Sequence, residues 1–311
     1  MSERKIPLAK IYIHGQSLKE ILSLHRDWQE EKGGERANLS GATLSNVDLQ
    51  GIDFRHAILT GAIFLESNLS GADFSGAQLH KCDFRNAILA NVDFEQADLT
   101  EINFQQSLLA EANFSEARVM NSTFRDANMR DCRLYEIHMS FCNLSSAKMN
   151  SAVFNRAVFT DCIFTEADLE NSNFSRARFQ SCRFTDARLI DANLSSSQAS
   201  DCDFRRAALN SAKFGLANLA QSVFCGAAMS SCDLRESNLS SADFSGAILQ
   251  NSLFGDANTM TTDFRGSILE GARGFTSRQL MQSLTSYGTI LPSGIRGPFT
   301  KGRNAEAPIH R

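Results

Sequence analysis

The chain has 311 residues, 42% of them hydrophobic, and a formal net charge of −4, which bounds it to one or two domains with enough apolar material for a core. No run of about 18 apolar residues occurs, which excludes a membrane-spanning helix, and the opening MSERKIPLAK lacks the apolar stretch of a secretory signal. The cytoplasm is the default expectation, with delivery as a secreted effector as the other open route.

Taken from the N-terminus, residues 1–36 hold two local signals. Lys10-Ile11-Tyr12-Ile13-His14 alternates as a short strand does. Ser17 and Glu20 stand three apart in a capping box, and Leu18, Ile21, Leu22, His25 and Trp28 follow at helical spacing. Gly33-Gly34 stops the pattern. The spacing predicts an amphipathic helix over 17–32 with Trp28 as its anchor.

From Leu39 to Leu269 every fifth residue is Leu, Phe, Met or Val, over 47 stations without an insertion, apart from Ala199 and Thr259. Two residues before each station sits a small side chain, as in Ala37-Asn38-Leu39-Ser40-Gly41 and Ala72-Asp73-Phe74-Ser75-Gly76. Twenty of the 23 Phe fall on stations. Both the station and the small residue point inward, as alternation in an extended segment requires. The three remaining positions are mostly polar and face water. A chain that turns every five residues closes a square in four segments, so residues twenty apart stack. The column containing Phe64, Phe84, Phe104, Phe124, Phe164, Phe184, Phe204 and Phe224 supports this, as does the mainly Phe column from Phe54 to Phe254. The two other columns, Leu39 to Thr259 and Leu49 to Leu269, are mainly Leu and Met. Phe thus lines two opposite sides of the square.

On these residues the chain resembles the pentapeptide-repeat family, whose motif is A-(D/N)-L-x-x, over residues 37–273. The resemblance implies an all-β solenoid: a right-handed quadrilateral β-helix of about 12 coils, roughly 55–60 Å long, with short helical caps at both ends, since a solenoid leaves an apolar face at each terminus. The run from Ser17 through Leu39 also resembles the lead-in of many bacterial members. Residues 1–36 are then the N-terminal cap, with Ser17, Glu20 and Trp28 as its key residues; a partner-binding helix is the alternative.

After Arg273 the period is lost. Residues 274–292 read as a C-terminal cap, a short helix started by Thr276 or Ser277 with Leu280, Met281 and Leu284 on its apolar face. Residues 293–311 read as a disordered tail.

Seven cysteines, Cys82, Cys132, Cys142, Cys162, Cys182, Cys202 and Cys232, occupy the small inward position, while Cys225 follows a station and points outward. They read as packing residues; with no C-x-x-C and no zinc spacing, neither metal nor cofactor is expected. The six histidines stand apart from one another, and no catalytic motif appears. No small-molecule ligand is expected of a filled interior, and the absence of a basic stripe argues against direct nucleic-acid binding.

Some family members of the quinolone-resistance and microcin-immunity type protect DNA gyrase and are thought to resemble duplex DNA, so the resemblance raises a topoisomerase as a partner. Residues 37–273 carry about −9, residues 1–36 about +1 and residues 274–311 about +4. Acids alternate with Arg, as in Asp83/Arg85 and Asp263/Arg265, which makes a mixed surface rather than a phosphate-like stripe. One neighbourhood stands out. Tyr135, His138 and Phe141 should face outward, flanked by Arg118, Arg130 and Arg133, and Tyr, Phe and Arg are enriched at interface centres. A locally irregular coil that half-buries these rings is the alternative. The leading reading is a non-enzymatic scaffold or adaptor that presents its sides to an unknown protein partner; the runner-up is a DNA mimic acting on gyrase.

Overall fold

The computed structural model describes residues 8–300, which fall into two compact units divided between Lys148 and Met149. In both, the architecture is that of a right-handed, four-sided β-helix.

Unit 1 opens with a single 3-10 turn at Leu8–Lys10 and then a hairpin. Strand β1 (Tyr12–Ile13) pairs antiparallel with β2 (Gln16–Ser17), joined by His14 at φ 51° and Gly15 at φ 88°. The expected strand over residues 10–14 is therefore shorter, because two successive left-handed residues turn the chain back on itself. Helix α1 (Leu18–Gln29) starts at the capping box: the Glu20 N–H donates to Ser17 Oγ, and the Ser17 N–H donates to Glu20 Oε2 at 3.0 Å. The helix ends three residues earlier than its pattern suggests. The chain then folds back so that the Glu35 N–H donates to Leu24 O at 3.1 Å. Gly34 makes this return possible, since a Cβ there would stand 2.2 Å from Leu24 O.

The anchor of α1 is His25 rather than Trp28. His25 is only 1% exposed and accepts the Ala37 N–H on Nδ1 at 3.2 Å, whereas Trp28 remains 37% exposed and stacks on the His25 ring. Leu18, Ile21 and His25 complete the buried stripe. One turn further on, Gln29 reaches the first coil through its amide, donating to Asp53 Oδ1 at 3.0 Å and to Arg55 O at 3.3 Å. The indole is left at the rim.

The coils of unit 1 follow the twenty-residue register. Asn38 pairs with Ile58, Thr43 with Ile63, Asp48 with Asn68 and Asp53 with Asp73, all parallel, which is one bridge on each of four sides. On one side the pairing lengthens into strands β3 (Asp98–Thr100), β4 (Arg118–Met120) and β5 (His138–Ser140). Stations and small residues are buried. The rings of Phe84, Phe104 and Phe124 stack with centroids 5.0 and 4.9 Å apart, and Phe94 and Phe114 meet Phe104 edge-on at 5.5 and 6.0 Å.

Most corners are β-turns in which the station carbonyl accepts the N–H three residues on, as in Ala42 N–H to Leu39 O at 3.0 Å. The second residue after each station, from Gly41 to Gly271, has positive φ. This explains the frequency of Gly, Asn and Asp there, a signal the sequence carries at a fixed phase. Where the small inward residue is Ser, its hydroxyl can bridge a corner of the preceding coil. Ser122 Oγ takes the Ile102 N–H at 3.0 Å and donates to Leu99 O at 2.8 Å.

Unit 2 repeats the pattern from Val153↔Asn173 to Leu253↔Arg273, with strands β6 (Val158–Thr160) and β7 (Arg178–Gln180) paired in parallel. Phe164, Phe184, Phe204 and Phe224 stack at 4.6, 4.7 and 4.8 Å. Gly274, at φ 81°, inserts one residue, so Phe275 rather than residue 274 lies on Phe254, at 4.2 Å.

Helix α2 (Ser277–Gln282) starts at Thr276 in a second capping box with Gln279. The Gln279 side-chain amide donates to Phe254 O and Ala257 O at 3.1 and 2.8 Å, closing carbonyls that have no further coil above them. Thr259, the polar station, is explained here: its hydroxyl donates to Gln279 O at 2.9 Å.

Two expectations for this end are corrected. Leu280 is buried, but Met281 and Leu284 are exposed. Leu284 pairs in parallel with Asp263, so it continues an outward-facing column and cannot share the buried face of α2. Residues 293–300 are also not a free tail. Ile290 pairs with Ile268 on one side and with Arg296, antiparallel, on the other, and the Gly297 N–H donates to Thr289 O at 2.7 Å. The last coil would otherwise expose an unpaired edge. The rest of the expected tail, residues 301–311, lies outside the described residues.

Candidate protein-contact surface

The residue before each station and the residue after it lie on the same outer side, one strand step to either side of an inward side chain. Asp before the station and Arg after it therefore form a fork. Arg85 Nη2 lies 2.6 Å from Asp83 Oδ2 with Nε 2.9 Å from Oδ1, and Asp203/Arg205, Asp233/Arg235 and Asp263/Arg265 repeat the geometry. At Asp53, burial pushes the carboxyl up, but hydrogen bonds from Arg55 and Gln29 outweigh it and hold the group at about 2. Hydrogen bonding from their Arg partners is the main cause that lowers Asp233 and Asp263. Much of the alternating charge is thus cancelled locally.

The residues singled out by sequence sit in unit 1. Tyr135 is 37% exposed and follows the Leu134 station, with Arg133 exposed just before it on the same side. His138, on β5, is exposed and in register with Arg118 on β4. Phe141 is 57% exposed and occupies the left-handed corner at φ 54°. At the same corner the earlier coils carry Gly41, Gly61, Lys81, Glu101 and Asn121. All three aromatic rings lie outside, and no half-buried irregular coil forms around them. The recurrence of Gly, Asn and Asp two residues after a station was the signal that could have shown that Phe141 carries a backbone cost as well as an exposed ring.

Seven of the eight cysteines are buried and Cys225 is half-buried. Burial pushes Cys82, Cys132 and Cys202 up to about 12, against weaker opposing hydrogen bonds, and raises Cys232 as well. Cys82 Sγ and Cys132 Sγ donate to Leu59 O and Leu109 O at 2.9 and 3.0 Å, so these thiols stand where Ser stands in other coils. Among the described residues no three His, Cys, Asp or Glu side chains converge as metal ligands would, and no helix is long and apolar enough to cross a membrane.

A family model described as "Pentapeptide repeat region" matches residues 37–114, 77–144 and 152–218, and one described as "Pentapeptide repeats (8 copies)" matches 202–240, 212–251 and 237–273. The chain belongs to the pentapeptide-repeat family. No curated protein matches it by sequence. Among solved structures it is similar to HetL, a pentapeptide repeat protein involved in heterocyst differentiation regulation from the cyanobacterium Nostoc sp. strain PCC 7120. That match has 20% identity over 88% of this chain and 97% of that one, with a TM-score of 0.36. It is also similar to a trypsin-treated form of QnrB1, a plasmid-mediated fluoroquinolone resistance protein, at 18% identity over 63% of this chain and 92% of that one, with a TM-score of 0.32.

Proposed function

We propose that this pentapeptide-repeat protein is a non-catalytic scaffold that presents the outer sides of its β-helix to a protein partner, with one contact centred on Tyr135, His138 and Phe141 and flanked by Arg118 and Arg133. The observation that carries this is Phe141. A bulky apolar residue at positive φ is strained, and an exposed ring gains little from burial in return. Gly or Asn would fit that corner better, so a use for the ring outside the fold is the economical explanation. The interior offers no competing site, because the stations fill it. A photo-crosslinking residue at position 141, in the cell that makes the protein, should yield a discrete adduct that the same residue at position 105 does not. Phe141→Asn should abolish capture of that adduct's partner without loss of folding. Equal labelling from both positions would sink the assignment.

A second reading, the gyrase-directed DNA mimic, has one observation in its favour. Three consecutive coils of unit 1 carry Asp73, Asp93, Glu95 and Glu116 on one side within residues 72–76, 92–96 and 112–116, with no Lys or Arg among them. Arg55, one coil earlier, approaches Asp73 at 3.7 Å. If this side mimics phosphates, the protein alters gyrase supercoiling in the presence of a quinolone, and the triple change Asp93→Asn, Glu95→Gln, Glu116→Gln removes the effect. No effect of the unmodified protein on gyrase eliminates the reading.

A further inference from the structure

The C-terminal end of unit 2 differs from the coils before it in two respects. Met281, Leu284, Tyr287 and Ile295 are all large, apolar and exposed, Tyr287 at 83%, and Met260 is exposed beside the end of α2, where the Thr261 N–H donates to Gln282 O. The charge also changes. Residues 271–300 contain Arg273, Arg278 and Arg296 and no Asp or Glu, and residues 301–311 add Lys301, Arg303 and Arg311 against Glu306. Residues 37–273 are by contrast net acidic.

Arg55, Arg85, Arg205, Arg235 and Arg265 each hold a carboxylate two residues away. Among the described residues, Arg273, Arg278 and Arg296 form no ion pair, which they share with Arg118, Arg133, Arg176, Arg178 and Arg183 of the coils; what sets them apart is the exposed apolar residues beside them. Three exposed Arg thus stand in a segment with exposed apolar side chains; the nearest acids belong to the last coil, Glu270 beside Gly294 and Asp263 paired with Leu284, and Asp263 is held by Arg265.

We propose that this end docks on an anionic lipid membrane, with Leu284, Tyr287 and Ile295 entering the interface and Arg278 and Arg296 meeting headgroup phosphates. The pairing of features fits that occupant. A single weak signal anchors poorly, whereas apolar insertion combined with basic charge binds stably. Tyrosine suits the boundary, with an apolar ring and a polar tip. The apolar residues come from separate segments: the end of α2, the residue paired with Asp263, the loop before Thr289, and the closing strand around Arg296. They project singly, and a fluid lipid surface accepts such projections without a matching shape. An acidic protein would share the charge preference but needs complementary walls.

The test is flotation of the full chain with phosphatidylcholine vesicles and with mixed phosphatidylcholine–phosphatidylglycerol vesicles. The protein should float with the anionic vesicles only, and salt well above physiological strength should release it. Tyr287→Ser with Leu284→Ser, and separately Arg278→Gln with Arg296→Gln, should each lower the bound fraction about tenfold while circular dichroism stays unchanged. Equal flotation with neutral vesicles, no flotation, or unaltered binding by both folded double variants overturns the proposal. So does binding of soluble polyglutamate, lost in the same variants, without vesicle binding; that result would assign the end to an acidic protein.

Discussion

Replacing Phe104 by Ala is the most direct test of how the core works. The ring is fully buried, stacked between Phe84 and Phe124 and met edge-on by Phe94 and Phe114. A Phe→Ala change in a packed interior costs about 3–5 kcal/mol, and each aromatic pair contributes about 0.5–1.5 kcal/mol beyond area burial. The upper half of the range is expected, because rings one coil away on both sides lose a partner and the backbone ladder prevents the coils from closing the gap. The comparison is Gln105→Ala, on the next residue but outside the core, which should change stability by no more than about 0.5 kcal/mol. Urea unfolding followed by circular dichroism measures both. If Phe104→Ala costs no more than Gln105→Ala, the interior is not the jammed column described and the energetic argument fails.

Phe141→Asn should stabilise the protein by about 0.5–1 kcal/mol, as left-handed strain is relieved and a mostly exposed ring is lost; a destabilised variant would show that the ring packs. Burial is the main cause that lowers His25, opposed by the Arg55 carbonyl and Asp53 and assisted by Arg36 and His56. The stability contributed by neutral His25 should thus be complete above its unfolded value of about 6.5 and fall as pH drops from there through the folded value. Trp28, the single tryptophan, stacks on this ring at 5.6 Å, so its fluorescence should titrate below about 6.5 and stop titrating in His25→Gln; a midpoint at or above that value refutes the assignment. Native alkylation should modify Cys225 quickly and the seven buried thiols only on unfolding, and rapid modification of several would contradict their placement. Gln279→Ala should cost about 1–3 kcal/mol in urea unfolding, since Ala257 O loses its donor and Phe254 O keeps only the Ala257 N–H; no change would mean that water replaces the amide freely.

The twenty-residue register, the inward stations and the Ser17–Glu20 capping box were legible in the sequence because each is either periodic or local. The period repeats the same decision many times, and Ser17 with Glu20 involves residues three apart; the second helix was legible only to a start at Thr276 or Ser277, and the structure chose Thr276 with Gln279. The ends were different. There a coil lacks a neighbour, so its carbonyls and apolar face are met by whatever side chains the chain can bring back, and no period describes those contacts. Only tertiary structure decided that His25 is buried while Trp28 lies at the rim, and that the Thr259 hydroxyl sits beneath the Gln279 carbonyl. It also turned Leu284 outward by pairing its backbone with Asp263, and folded residues 295–297 back onto the last coil because that edge had no other partner. The outer surface shows the same division. Alternation placed Phe141 outside, but its left-handed backbone comes from the turn that the coil must make at that corner, whatever residue occupies it.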